Sequence, residues 1–234
     1  MKTKLALALL AVLLPTAAHA WQKDYDALLK KYVVSGGVRY AAWKASAADM
    51  AALDKVIAAV ATENPASYSR NDKIAFYLNA YNATILGEAL KKYPTKSVKD
   101  TLFTFFTMKR ITVAGEKMSF NHLEKNIIRP LGEPRIHFAL NCASRSCPPL
   151  RTEPFTGAQL DTQLDEQARG FVSSERGAKF GGGTAQLSKI FDWYKEDFGG
   201  ESGVMAFLKK NLKEMPAVKS VSYQEYDWSL NDAK

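Results

Sequence analysis

The sequence predicts an α+β protein, a helix-rich domain around a small, mainly antiparallel sheet. Helical spacing recurs along the 234 residues, short alternating segments meet at hairpin-type turns, and no regular strand–helix–strand alternation signals a parallel sheet. A composition of 47% hydrophobic and 24% charged residues is that of an ordinary globular protein and excludes disorder or a collagen-like repeat. No Ser/Pro/Gly linker, repeat period or low-complexity tract divides residues 21–234, which are therefore expected to form one domain.

The elements follow in order. Tyr25, Leu28, Leu29 and Tyr32 share one helical face, and Met50 to Val60 forms an alanine-rich helix. Asp72 to Tyr93 is apolar nearly all round, as in a buried helix, with Pro94 as its stop signal. Arg110 to Ser119 alternates around Ala114-Gly115, a hairpin signature. Asn121-His-Leu-Glu124 is expected to open a short helix, with Glu124 as its capping partner. Ile136, Phe138 and Leu140 alternate with His137 and Ala139, which predicts a half-buried strand over 135–140. Gly157 to Val172 reads as helix. Gly181-Gly182-Gly183 turns one strand into Thr184–Leu187, Ser188 caps a helix over 189–198, a last helix spans Val204–Leu212, and a last strand spans 218–228. Phe103, Phe105, Phe106, Phe191, Trp193, Tyr194 and Phe198 have the spacing of core side chains.

The first twenty residues read as a transport signal. Lys2 and Lys4 precede the apolar run Leu5–Leu14, and Ala18-His19-Ala20 supplies small residues around a cut. Cleavage after Ala20 and a periplasmic or secreted location are expected. No later stretch approaches the roughly 18 apolar residues of a membrane helix, so no stable membrane insertion is expected. Loss of Lys2 and Lys4 lowers the net charge from +8 to +6. The basic residues are scattered in pairs such as Lys30-Lys31, Lys91-Lys92 and Lys209-Lys210, which argues against a nucleic-acid surface. Two Cys and three His in the whole chain nearly exclude a multi-ligand zinc site or an iron–sulfur cluster; a metal site on Cys142, Cys147 and His137 or His122 is the weakest reading of the cysteine segment, and neither metal nor cofactor is expected.

Both cysteines lie in Arg135-Ile-His-Phe-Ala-Leu-Asn-Cys-Ala-Ser-Arg-Ser-Cys-Pro-Pro149. In an exported chain, Cys142 and Cys147 can close a disulfide across a short turn. Alternatively, Cys142 is a nucleophile with His137 as its base, and Glu124 or Asn79 orients that base. Five residues of straight strand span about 16 Å, so His137 and Cys142 meet only if the chain folds back after Asn141. The first reading gives a non-enzymatic binding module for a small-molecule or peptide ligand of the cell envelope. Its contacts are Asn82, Asn141, Arg145 and Arg151, because arginine can bind carboxylate or phosphate bidentately. The second gives a thiol-dependent hydrolase or acyl transferase. Asn79 and Asn82, inside an apolar helix, need partners if buried, and a structural bridge is the first expectation for both.

Four segments carry a family resemblance: Phe76-Tyr-Leu-Asn-Ala-Tyr-Asn82, Ile136 to Arg151, Leu187-Ser-Lys-Ile-Phe-Asp-Trp-Tyr-Lys-Glu-Asp-Phe198 and Tyr226-Asp-Trp-Ser-Leu-Asn231. Together they resemble the bacterial, exported branch of the domain of unknown function 547 family. The resemblance implies a single exported α+β domain and attaches no activity or substrate to it. The cysteine chemistry has a looser likeness to Cys–His enzymes of the papain and transglutaminase type, in which Cys usually precedes His. Here His137 comes first.

Overall fold

The computed structural model describes residues 20–35, 37–97 and 102–233, without the side chains of Ala20, Leu102 and Phe103. The expected leader over 1–20, but for the backbone of Ala20, and the packing expected of Phe103 lie outside the described residues. The fold is α+β and rich in helix, with three small sheets among the described residues in place of one.

Helix α1 (Ala20–Tyr32) buries Tyr25, Leu28, Leu29 and Tyr32, the stripe read from the sequence. A short ribbon follows, β1 (Val33–Val34) paired antiparallel with β2 (Gly37–Val38). Helix α2 (Tyr40–Ala45) buries Tyr40 and Trp43, and the Trp43 ring stacks on Tyr32 at 4.6 Å. Helix α3 (Ala47–Thr62) starts at Ser46, whose hydroxyl accepts the Asp49 amide, and packs against α1. Helix α4 (Arg70–Lys92), capped by Ser69, is buried on nearly every side from Ile74 to Leu90 and ends at Tyr93, just before Pro94.

After α5 (Leu102–Thr107), strands β3 (Ile111–Val113) and β4 (Glu116–Met118) form the expected hairpin. Ala114 and Gly115 both have positive φ, 53° and 81°, as a two-residue primed turn requires. The amides of this turn donate to the Val60 and Ala61 carbonyls at 3.1 and 2.7 Å, so the hairpin caps the end of α3.

Helix α6 (Phe120–His122) widens into a π-type turn over Leu123–Ile128, followed by a 3₁₀ turn over Arg129–Leu131. Its N-cap is Ser119, which accepts the His122 amide at 3.1 Å. The start therefore lies two residues earlier than Asn121, and Glu124 has no capping role. The expected strand over 135–140 is a 3₁₀ turn, Pro134–Phe138. Pro134 suits the first position of a helical turn, and the Glu133 carboxylate accepts the Arg135 amide. Ile136, His137 and Phe138 are all buried, so the apparent alternation was not a face. Arg135 ties this turn to helix α7 (Leu160–Val172) through Asp161 and Asp165.

The remaining sheet joins β5 (Ala178–Gly181) antiparallel to β6 (Thr184–Leu187), and β6 parallel to β7 (Ser220–Tyr223). The last strand is thus shorter than the predicted 218–228. The helix predicted over 189–198 divides into α8 (Lys189–Trp193) and a 3₁₀ turn over Lys195–Phe198. Helix α9 (Gly200–Asn211) follows.

Residues 229–233 lie against earlier parts of the chain, with bridges from Ser229 to Ser97, Leu230 to Ser144 and Asp232 to Val38. Gly37 is required here, because a Cβ would meet the Asn231 carbonyl oxygen at 2.0 Å. Two apolar clusters form the interior. One surrounds α1 to α4 and α6; the other joins Phe138, α7, β5, β6, α8 and α9. A cavity opens between residues of the two clusters. No helix among the described residues is long and apolar enough to cross a membrane.

Candidate functional site

Three buried asparagines hold the loop that carries the cysteines and the segment that follows it. Asn79 on α4 donates to the Phe155 carbonyl (2.8 Å) and accepts the Phe155 amide (2.9 Å). One turn on, Asn82 donates to the Ala139 carbonyl (3.0 Å) and accepts the Asn141 amide (2.9 Å). Asn141 donates to the Pro148 carbonyl (2.7 Å) and accepts the Ala143 amide (2.9 Å) and the Asn231 side chain (3.3 Å). The Asn231 oxygen accepts the Tyr40 hydroxyl (2.8 Å). Carboxamides suit this work because each offers a donor and an acceptor, the complement of a backbone unit. All three are thereby engaged with the protein itself. Asn79 cannot orient His137 from this position, and Asn82 and Asn141 do not line the cavity.

The chain does fold back after Asn141. Ala143 takes a positive φ of 61°, and the Cα atoms of Cys142 and Cys147 lie 6.2 Å apart with their sulfurs at disulfide distance. The Cys142 amide donates to Cys147 Sγ at 2.9 Å. The Tyr226 hydroxyl lies 3.3 Å from each sulfur and accepts from the Ser144 hydroxyl at 3.1 Å. Burial pushes the Tyr226 phenol up to about 12.

Across the cavity, His137 stacks on Tyr194 with ring centroids 3.8 Å apart. Its Nε2 is 2.7 Å from Asp197 Oδ2. Arg129 grips the same carboxylate bidentately, Nε to Oδ2 at 2.8 Å and Nη2 to Oδ1 at 2.6 Å. That grip holds the Asp197 carboxyl below its usual range. The His137 side chain is only 1% exposed, and burial lowers its imidazole to about 4 against the pull of Asp197. The anion is already neutralised by Arg129, so desolvation prevails. Glu124 accepts the Tyr194 hydroxyl at 2.5 Å, and burial raises its carboxyl above the ordinary value. Burial likewise raises the Tyr194 phenol.

The cavity encloses about 650 Å³. His137, Cys142, Cys147 and Glu124 line it, together with Tyr81, Phe106, Asn121, Lys125, Arg129, Trp193, Tyr194, Tyr226 and Trp228. Its lining carries an aromatic cluster: the Tyr226 ring lies 4.4 Å from Trp228 and 4.8 Å from Trp193. Trp193, expected in the core, is 44% exposed.

Of the residues predicted for the site, Cys142, Cys147, His137 and Glu124 meet at the cavity. Tyr194 intervenes between Glu124 and His137, accepting the stacked imidazole on its face and donating its hydroxyl to Glu124. Arg151 is elsewhere, paired with Glu153 and Glu166 over the Phe155 ring. Arg145 is exposed and does not line the cavity. His122 is half-exposed beside Glu116. Sequence reasoning missed Arg129, Asp197, Tyr194 and Trp193 as site residues. Asp197 lies 60 and 68 positions from its two partners, so no local pattern could have joined them. Among the described residues no group of three or more His, Cys, Asp or Glu side chains is placed to hold a metal ion.

Fold and site together define a helix-rich α+β protein with a cavity lined by aromatic rings and by a cysteine loop. Residues 65–172 match the family model described as "Protein of unknown function, DUF547", which supports the resemblance drawn from the motifs at 76–82 and 136–151. Searches of curated proteins and of solved structures return no match. The matched span supplies Glu124, Arg129, His137 and both cysteines. Trp193, Tyr194, Asp197, Tyr226 and Trp228 come from beyond it.

Proposed function

We propose that this protein is a ligand-binding module of the cell envelope. On this reading it is exported by residues 1–20, and its cavity receives a small molecule or peptide. The Cys142–Cys147 pair staples one wall. The observation that carries this is the placement of the two sulfurs against each other, while the one imidazole in the cavity is committed to Asp197 through Nε2. A nucleophilic thiol needs a base that takes its proton. Burial lowers that imidazole to about 4, which makes it a weak base toward a thiol.

One observation favours a second reading, a thiol-dependent hydrolase or acyl transferase. Cys142 and His137 line the same cavity, and Asp197 fixes the ring so that Nδ1 is the nitrogen left for a thiol. Alkylation of the mature protein without reductant, followed by peptide mapping, separates the two. Recovery of Cys142 and Cys147 as linked, unmodified peptides is the expected result. Selective labelling of Cys142 near pH 6, with Cys147 slow, would overturn it in favour of the enzyme.

A further inference from the structure

The two sides of the cavity differ in chemistry. On one side Asn121, Glu124 and Lys125 stand three and four positions apart, so one helical face presents all three to the cavity. The Asn121 amide, Glu124 Oε2 and the Lys125 ammonium make no hydrogen bond or ion pair with the described residues. On the other side are the clustered rings of Trp193, Tyr226 and Trp228, of which Trp193 stands exposed and the other two are partly buried. Trp193 and Met108 are the only large apolar side chains among the described residues that stand exposed, and Trp193 stands at this cavity.

We infer that the cavity is a carbohydrate site, in which a neutral pyranose lies against Trp193 and Trp228 and its hydroxyls reach Asn121, Glu124 and Lys125. This rests on the binding-module reading and names its ligand class. A purely apolar ligand would cover the three polar groups and leave them unpaired. An anion would meet Glu124, and a cation would meet Lys125 and Arg129. A pyranose has an apolar face of C–H groups, which are weakly positive and suit the negative face of an aromatic ring. Its rim of hydroxyls both donates and accepts. The volume is within the roughly 300–1,000 Å³ of ordinary ligand sites, enough for one or two sugar rings.

The test is isothermal titration calorimetry of the mature protein with β-1,4-linked N-acetylglucosamine di- and trisaccharides, cellobiose and maltose. Saturable binding of at least one sugar is expected, with Kd on the order of 0.1 mM, the strength of a ligand of this size. Trp193→Ala removes an exposed ring and should leave the fold intact by circular dichroism while weakening that sugar by about three- to tenfold. Asn121→Ala should weaken it without touching the aromatic cluster. Heat released by none of the four sugars, or binding that Trp193→Ala leaves unchanged, would overturn the carbohydrate assignment. The alkylation map is independent of these titrations. A linked cysteine pair with no sugar binding sinks the ligand class alone, whereas an activated Cys142 sinks the binding module.

Discussion

His137 is neutral because burial, not its acidic neighbour, sets its protonation. In the unfolded chain an imidazole takes its proton near pH 6.5; in the fold it does so near 4. Between these values the unfolded chain binds more protons, so stability is full above about pH 6.5 and falls as the pH drops toward 4, by at most roughly 3 kcal/mol. Glu124 has the opposite sign. Burial raises its carboxyl, so the fold binds its proton more readily than the unfolded chain and its protonation on acidification favours the native state. Urea midpoints measured from pH 7.5 to 5 should fall for the wild type and fall less for His137→Gln. Equal slopes in the two proteins would remove His137 as the source. The imidazole was legible in the sequence as a candidate, but its partner was not, because Asp197 sits on another element 60 positions away.

The elements best read in advance were those whose signal is local. Helix α4 announces itself by continuous apolar character and a proline stop, and the β3–β4 hairpin by alternation around a two-residue turn. The turn over 134–138 misled because Ile136 and Phe138 imitate a strand face, while Pro134 and Glu133 impose a 3₁₀ start that periodicity does not weigh. The parallel pairing of β6 with β7 was equally hidden, since it joins segments separated by α8 and α9. The asparagines on α4 were correctly expected to bridge, and their partners appear only in three dimensions. Asn82→Ala would strip the Ala139 carbonyl and the Asn141 amide of their partner in a buried setting. A loss of about 2–4 kcal/mol in urea unfolding is expected, from two unsatisfied groups. A loss below about 1 kcal/mol would mean that water replaces the clamp.

At the scale of the molecule, the candidate site lies where two apolar clusters face each other, and neither wall is complete without the other. The sequence identified the cysteine loop as the centre of interest because half of its chemistry is contiguous there. It could not identify Arg129, Asp197, Tyr194 and Trp193, because the aromatic pair has the spacing of core residues and the charged pair meets only across 68 positions. The staple itself is a small contributor to the whole. Closing so short a loop stabilises by about 2 kcal/mol in the chain-entropy model, so Cys142→Ser with Cys147→Ser should unfold at modestly lower urea and keep its secondary structure. A loss above about 5 kcal/mol would show that the pair organises far more than its loop.

The bridges made by residues 229–233 also set an order in time. A nascent chain appears at about 5–20 residues per second, and Tyr226 follows Cys142 by 84 positions. For roughly 4–17 s the thiols are made but not yet screened by the phenol that will touch both. The strip beside Gly37 waits longer still for Asn231, since Tyr40 precedes that partner by 191 positions. The loop around the candidate site is therefore complete only when the last residues of the chain are in place.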